Sequence, residues 1–180
     1  MITYNHEKYI EQAIHGVLNQ NFDFEVELII SDDASNDKTQ EKIIAIINKN
    51  ESKVKIRYFR NRANVGMIKN FISSLNKCQG KYIALCEGDD YWTDHYKLQK
   101  QVDFLEANSD YSICFHKVQI IKSNKLISDT IIEKRYENIK KFPATVIDLL
   151  KQGNFMHTAS VVFRNNIRYF PMEFAYSPVG

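Results

Sequence analysis

The sequence predicts a three-layer α/β/α protein with a mainly parallel central sheet, on three observations. Short runs rich in β-branched residues alternate with segments of helical periodicity, the strand-like runs are nearly continuous in apolar character, and polar or acidic clusters fall directly after them. Alternation of this kind is that of successive β-α units, and continuous apolar runs belong to strands covered on both faces. Ligands of such sheets gather at the carboxyl ends of the strands, so the segments after each strand are where chemistry is expected.

Taken in order, Tyr9, Ile10, Ala13, Ile14, Val17 and Leu18 recur at helical spacing, and residues 26–30 form a β-rich run. The pattern repeats with a helix on Ile43, Ile44, Ile46 and Ile47, a strand over 54–59, a helix on Ile68, Phe71, Ile72 and Leu75, and a strand over 82–86. A helix is expected over 96–107, an extended run over 112–121, a turn at 122–125 and a polar loop over 128–142. A short helix over 145–151 and a strand over 158–163 complete the reading. The chain opens at Met1, Ile2, Thr3, Tyr4 and Asn5, which read as the end of a strand without its apolar body. That first strand is expected to be cut short, with an apolar edge open to self-association into a homo-oligomer.

Composition narrows the function classes. With 180 residues the chain is one domain in size, able to bury a core without staples. Its formal net charge of +2 lacks the basic excess of a nucleic-acid binder, so no nucleic-acid partner is expected. Cys78, Cys86 and Cys114 are odd in number and widely spaced, which predicts core thiols in a reducing compartment. No segment approaches the ~20 apolar residues of a membrane span, and a cytoplasmic location follows as the expectation.

Three strand ends carry polar residues that packing alone does not ask for: Thr3 to Asn5, Ser31 to Ser35, and Glu87, Gly88, Asp89, Asp90, Tyr91 and Trp92. In the third, like charges crowd together around a glycine, an arrangement relieved by a cation or a hydrogen-bonding ligand. Hard divalent ions, Mn²⁺ or Mg²⁺, take one or two carboxylates and fill their shell with phosphate oxygens and water. The same residues also serve as turn or helix caps, as do Asp32 and Asp33 in the run Asp-Asp-Ala-Ser-Asn-Asp. Each cluster alone leaves both readings open.

Their order and spacing do more. Residues 2–6, then 32–37, then Asn64, Gly66 and Asn70, then residues 80–83 leading into 87–92 together resemble the family 2 glycosyltransferases of GT-A fold. The resemblance is strong over about residues 1–110. It implies a single GT-A domain over 1–180, with 1–110 the nucleotide-sugar-binding part and 111–180 a partial acceptor-side part. It also implies that Tyr4 stacks near the base, flanked by Thr3 and Asn5, and that Asp33 accepts the base's imide hydrogen, which favours a UDP-sugar donor. Asn64, Gly66 and Lys69 would belong to the same pocket, Asp89 would meet the ribose or metal, and Asp90 the metal. Arg60 and Arg62 either neutralise phosphate or form a solvated basic loop. Glu87 stands where the family often has Asp.

The reaction so implied transfers a sugar to an acceptor hydroxyl with inversion, in cell-envelope or capsule polysaccharide synthesis. The acceptor would be a carbohydrate or lipid-linked, and peripheral membrane association is compatible with it. Residues 153–164, with Phe170 and Pro171, resemble the family's acceptor side. His157, Thr158 and Ser160 are candidates to line that pocket, with His157 alternatively a structural histidine; His116, which follows a strand, is a possible acceptor contact with the same alternative. The catalytic base, an Asp or Glu shortly after a Gly, is expected just beyond Gly180, and neither Asp148 nor Glu173 has the matching context. The chain therefore reads as trimmed at both ends. A nucleotidyltransferase is disfavoured by the lack of a Gly-rich phosphate loop near residues 3–10, and a dinucleotide oxidoreductase by the lack of G-x-G-x-x-G. A nucleotide-sugar-binding module without turnover remains the main alternative.

Overall fold

A computed structural model describes residues 1–123, 125–139 and 142–166. Strands β1 (Ile2–Thr3), β2 (Glu27–Asp32) and β3 (Lys55–Arg60) form a parallel sheet, with Thr3 in register with Asp32 and Asp32 with Arg60. Their carboxyl ends thus lie side by side. Helices α1 (Ile10–Leu18) and α2 (Thr39–Lys49) pack together on one face of this sheet, and α3 (Met67–Leu75) packs on β1 and β2 from the other.

Side-chain alternation on β2 explains the layering. Leu28 and Ile30 enter a core with Ile10, Ile14 and Val17 of α1 and Ile43 and Ile46 of α2. On the opposite face Ser31 Oγ donates to Asn70 Oδ1 (2.7 Å), and Asn70 Nδ2 returns a bond to the Ser31 carbonyl (2.9 Å). Asn70 is 1 % exposed, so this polar pair is fully paired where it is buried and fixes α3 in register.

Strand β4 (Tyr82–Ala84) opens the second half, followed by α4 (Lys97–Ala107), β5 (Ile113–Cys114), the hairpin β6 (Ile120–Lys122) and β7 (Lys125–Ile127), α5 (Thr130–Glu137), α6 (Val146–Gln152) and β8 (Val162–Arg164). Here the sheet is antiparallel, in the order β4-β8-β5. The two halves meet where the Gly88 N–H donates to the Ile2 carbonyl (2.9 Å). This contact lays the segment after β4 along β1, so β1 is an interior strand; Ile2 and Thr3 are buried, and the open apolar edge expected there does not exist.

Other expectations are corrected in the same region. The polar stretch 128–142 contains α5, whose start is set by Asp129 Oδ1 accepting from the N–H groups of Ile131 and Ile132. The apolar pattern there is weak because the helix is partly exposed on all its faces, and the cap carries the signal instead. The run 112–121 breaks into β5 and β6, and 158–163 into a 3₁₀ turn (Thr158–Ser160) before β8. Thr145 caps α6 reciprocally with Asp148. All three cysteines are free, but only Cys86 is buried; Cys78 and Cys114 are half-buried. Burial pushes the Cys86 thiol up to about 12.

Lys97 is buried at the start of α4, its Nζ 3.9 Å from the centroid of the Trp92 ring and without a hydrogen-bond partner. Burial lowers its pKa to about 7, the thiols of Cys86 and Cys114 opposing weakly. The unfolded chain therefore binds a proton that the folded chain sheds between about pH 7 and the ordinary lysine range, and stability rises with pH across that window. Between pH 7 and 9 a gain of about 1–2 kcal/mol is expected from this group. Urea titrations of wild type and Lys97→Met at both pH values test it: the wild-type gain shrinks in the variant.

Candidate functional site

Four chain segments converge at the carboxyl ends of the parallel strands. After β1, Tyr4 is exposed and Asn5 takes a left-handed conformation (φ 56°). Asn5 is tied across to the β2 loop, its N–H donating to Ser35 Oγ (2.9 Å) and its Oδ1 accepting from the Asn36 N–H (2.9 Å). Ala34 also sits at positive φ (62°), in the loop between Asp33 and Ser35. Backbone strain of this kind persists only where the surroundings over-determine it, and here both strained residues flank one edge of the site.

Asp32 and Asp33 divide the work of the second strand end. Asp32 is fully buried: Oδ1 accepts from the Ser35 N–H (2.8 Å) and Oγ (2.6 Å), and Oδ2 from Tyr58 Oη (2.8 Å), with Arg60 Nε at 3.6 Å. Burial and this carboxylate together raise the Tyr58 phenol. Arg60 also donates to the Ser35 carbonyl (2.8 Å), so it ties the β2 loop although, like Arg62, it is exposed.

Asp33 accepts three bonds from the loop after β3: Asn61 Nδ2 (2.8 Å) and the Val65 N–H (2.9 Å) on Oδ1, and the Gly66 N–H (2.9 Å) on Oδ2. A carboxylate offers about four acceptor sites, and three are taken. Asn64 Oδ1 shares the Gly66 N–H (3.1 Å), Gly66 has φ 89°, and exposed Lys69 follows on the first turn of α3. Tyr4, Asp33, Asn64 and Gly66 thus lie on strand-end loops, with Lys69 on the helix that follows. Asn61 was missed by sequence reading; its position directly after the third strand was the available signal.

The acidic turn after β4 lies against β1. A Cβ on Gly88 would meet Thr3 Oγ1 at 2.7 Å and His6 Nδ1 at 2.8 Å, so only glycine fits. Both of those atoms are buried without a hydrogen-bond partner. Asp89 is exposed, with Oδ2 3.9 Å from His6 Nε2. Burial, then the Asp89 charge, pushes the Asp90 carboxyl above the usual range, with the His157 and His6 imidazoles opposing. Glu87 is raised by burial and by Asp90 and Asp89. His6 is a further residue that sequence reading left without a role.

This set suits a divalent ion. Its carboxylates are crowded enough for a cation to relieve them, and orphaned oxygen and nitrogen atoms line the same cradle. Among the described residues no three His, Cys, Asp or Glu converge on one point. An ion held by Asp89 or Asp90 would therefore complete its shell with phosphate and water, as hard divalent ions do.

His157 is carried to this cluster by the second sheet. Trp92 Nε1 donates to the Ala159 carbonyl (2.9 Å) and Gln101 Nε2 to that of Ser160 (2.9 Å), clamping the turn that bears His157 and Thr158. Beyond His157 opens a cavity of about 190 Å³ that also reaches His116. Phe170, Pro171, Glu173 and the positions up to Gly180 lie outside the described residues.

A parallel sheet with loop-borne polar groups at its carboxyl ends and an acidic turn at their junction defines the class of α/β proteins that bind nucleotide ligands at strand ends. The model for Glycosyl transferase family 2 matches residues 1–170, and the chain belongs to that family. An uncharacterized protein of Mycobacterium tuberculosis is 38 % identical over 168 residues, covering 93 % of this chain and 46 % of its own length. A putative teichuronic acid biosynthesis glycosyltransferase of Bacillus subtilis, TuaG, is 33 % identical over 107 residues, covering 59 % of this chain and 40 % of its own. The chain spans about half the length of the mycobacterial relative.

Solved structures share the GT-A fold. Staphylococcus aureus TarS in complex with UDP superposes with a TM-score of 0.68 at 20 % identity, over 96 % of this chain and 49 % of that one. The mannosyltransferase PcManGT from Pyrobaculum calidifontis, solved with GDP-Man and Mn²⁺, gives 0.63 at 15 % identity, over 91 % and 42 %. No helix among the described residues is long and apolar enough to cross a membrane.

Proposed function

We propose that this chain binds a nucleoside-diphosphate sugar, a UDP-sugar by preference, with Mn²⁺ or Mg²⁺, as the donor-binding part of an inverting glycosyltransferase of polysaccharide assembly. The observation that carries this reading is the Glu87–Asp90 turn, packed beside the unpartnered Thr3 and His6 atoms, in which burial and neighbouring carboxylates raise the Glu87 and Asp90 carboxyls. Membership of the family supports the same chemistry.

In this reading Asp89 and Asp90 hold the ion, with Asp89 also within reach of the ribose. The ion supplies Lewis-acid stabilisation of the departing diphosphate. Tyr4, exposed at the sheet edge, stacks on the base. Asp33 orders the 61–66 loop and keeps one acceptor site for the imide hydrogen of uracil. Asn64, Gly66 and Lys69 line the nucleotide, while His157 faces the acceptor; Thr158 instead lines a separate pocket beside Met1 and Phe71. No general base is assigned among the described residues. Residues 1–110 serve the donor and 111–180 the acceptor within one domain.

Thermal unfolding with UDP, GDP, CDP and dTDP, each with and without Mn²⁺, tests the reading. At about a hundredfold excess over Kd, UDP with Mn²⁺ is expected to raise Tm by on the order of 5–10 °C, with smaller shifts when either is omitted. No shift with any nucleotide contradicts it.

A further inference from the structure

His6 is fixed through its backbone while its side chain is left without a hydrogen bond. Its carbonyl accepts from the N–H groups of Tyr9 and Ile10 (both 2.9 Å). On either side of it the Asn5 N–H donates to Ser35 Oγ (2.9 Å) and the Glu7 N–H to Asp37 Oδ2 (3.0 Å). The imidazole so positioned lies against the acidic turn, with Nδ1 2.8 Å from the point a Cβ on Gly88 would occupy and Nε2 3.9 Å from Asp89 Oδ2. Nδ1 has no partner, and 3.9 Å is too long for Nε2 to donate to the carboxylate. That spacing suits two ligands of one ion, which stand roughly 3–4 Å apart when each bond is about 2.1–2.2 Å.

Thr3 supplies an independent observation. It is 2 % exposed, its Oγ1 is likewise unpartnered, and that oxygen lies 2.7 Å from the same point beside Gly88. A hydroxyl and an imidazole nitrogen, both buried and both orphaned, are thus brought to one spot, at a cost that only an engaged imidazole offsets. A histidine that binds a cation through one ring nitrogen is oriented by the hydrogen bond that its other nitrogen donates, and Thr3 Oγ1 is the acceptor at hand for Nδ1–H.

We infer that His6 Nε2 is a ligand of the divalent ion beside Asp89, oriented through Nδ1 by Thr3, and that this imidazole makes the site select Mn²⁺ over Mg²⁺. This deepens the proposed function and rests on it for the nucleotide, whereas the ion's ligand set stands on His6, Thr3 and Asp89 themselves. Carboxylate, phosphate and water oxygens serve both ions, but an imidazole nitrogen disfavours the hard Mg²⁺. Since no three His, Cys, Asp or Glu converge among the described residues, the remainder of the shell falls to diphosphate and water, and the one nitrogen carries the discrimination.

Electron spin-echo spectroscopy of Mn²⁺ on the intact chain, alone and with UDP, reads this bond directly, because a coordinated imidazole couples its nitrogen to the metal's unpaired electrons. The wild type is expected to show nitrogen modulation and His6→Gln to lose it. Mn²⁺ affinity falls at least about tenfold in His6→Gln while Mg²⁺ affinity, measured by competition, changes little. Thr3→Val keeps the modulation and binds Mn²⁺ more weakly, as expected of a residue that orients the ligand. The wild-type spectrum needs no variant, so Mn²⁺-loaded protein without nitrogen modulation overturns the inference however the variants fold. Modulation that survives in His6→Gln, or Mn²⁺ and Mg²⁺ affinities that fall together, overturns it too. Calorimetry of UDP on the same samples separates the two readings: nitrogen coupling with no gain in UDP binding upholds His6 as a ligand and removes the nucleotide, whereas Mn²⁺-dependent UDP binding without nitrogen coupling removes His6 and leaves the donor reading standing.

Discussion

Asp90→Asn is expected to weaken Mn²⁺-dependent UDP binding by at least about a hundredfold and, at the same time, to raise the melting temperature of the ligand-free protein. Both effects come from one arrangement. Burial and the Asp89 charge push the Asp90 carboxyl up, and Asp90 and Asp89 do the same to Glu87. A carboxyl whose folded pKa is raised adds stability while protonated and loses it as pH rises through the window above its ordinary value. At pH 7 the three carboxylates therefore repel one another at the fold's expense, and a neutral amide of the same shape removes part of that repulsion. Scanning calorimetry across pH tests the sign: the stability advantage of Asp90→Asn is present at neutral pH and narrows on acidification. A variant that loses binding and also loses stability contradicts this account of the turn.

Asp33→Ala is expected to destabilise the fold by about 2–4 kcal/mol, because it strips the acceptor from Asn61 Nδ2 and from the N–H groups of Val65 and Gly66. Loss of these bonds frees the loop that carries Asn64 and Gly66, so nucleotide binding falls as a consequence of disorder as well as of any lost base contact. Urea denaturation measures the first effect, and faster amide exchange at Val65 and Gly66 the second. Retention of both stability and slow exchange would remove Asp33 from its role as loop anchor. The contrast with Asp90 is the useful one: two acidic residues of one site, one expected to lower stability when neutralised and the other to raise it.

The first 110 residues were readable because their elements announce themselves locally. Ile43 and Ile46, or Leu28 and Ile30, reach one core from opposite elements, and each periodicity is visible in a single segment. The strand-end clusters were readable for the same reason, each lying directly after an apolar run. What eluded the sequence depends on contacts between distant segments. Nothing local says that the Gly88 N–H meets the Ile2 carbonyl, and that one bond makes β1 interior and brings Thr3 and His6 to the acidic turn. The loop-tying bonds of Asp33 span 28 to 33 residues and were equally silent. Helix α5 was missed because it buries no side chain, leaving the Asp129 cap as its main mark. The runs over 82–86, 112–121 and 158–163 marked β4, β5 and β8, but their antiparallel pairing joins distant segments and left no local sign.

The central claim is that the Glu87–Asp90 turn unites a divalent ion with a nucleoside diphosphate. Calorimetric titration of UDP into the chain, with and without Mn²⁺ and beside Asp90→Asn, tests it most directly. The account predicts saturable binding that requires Mn²⁺ and is lost in the variant. UDP binding of equal strength in the absence of metal, or undiminished in Asp90→Asn, would contradict it.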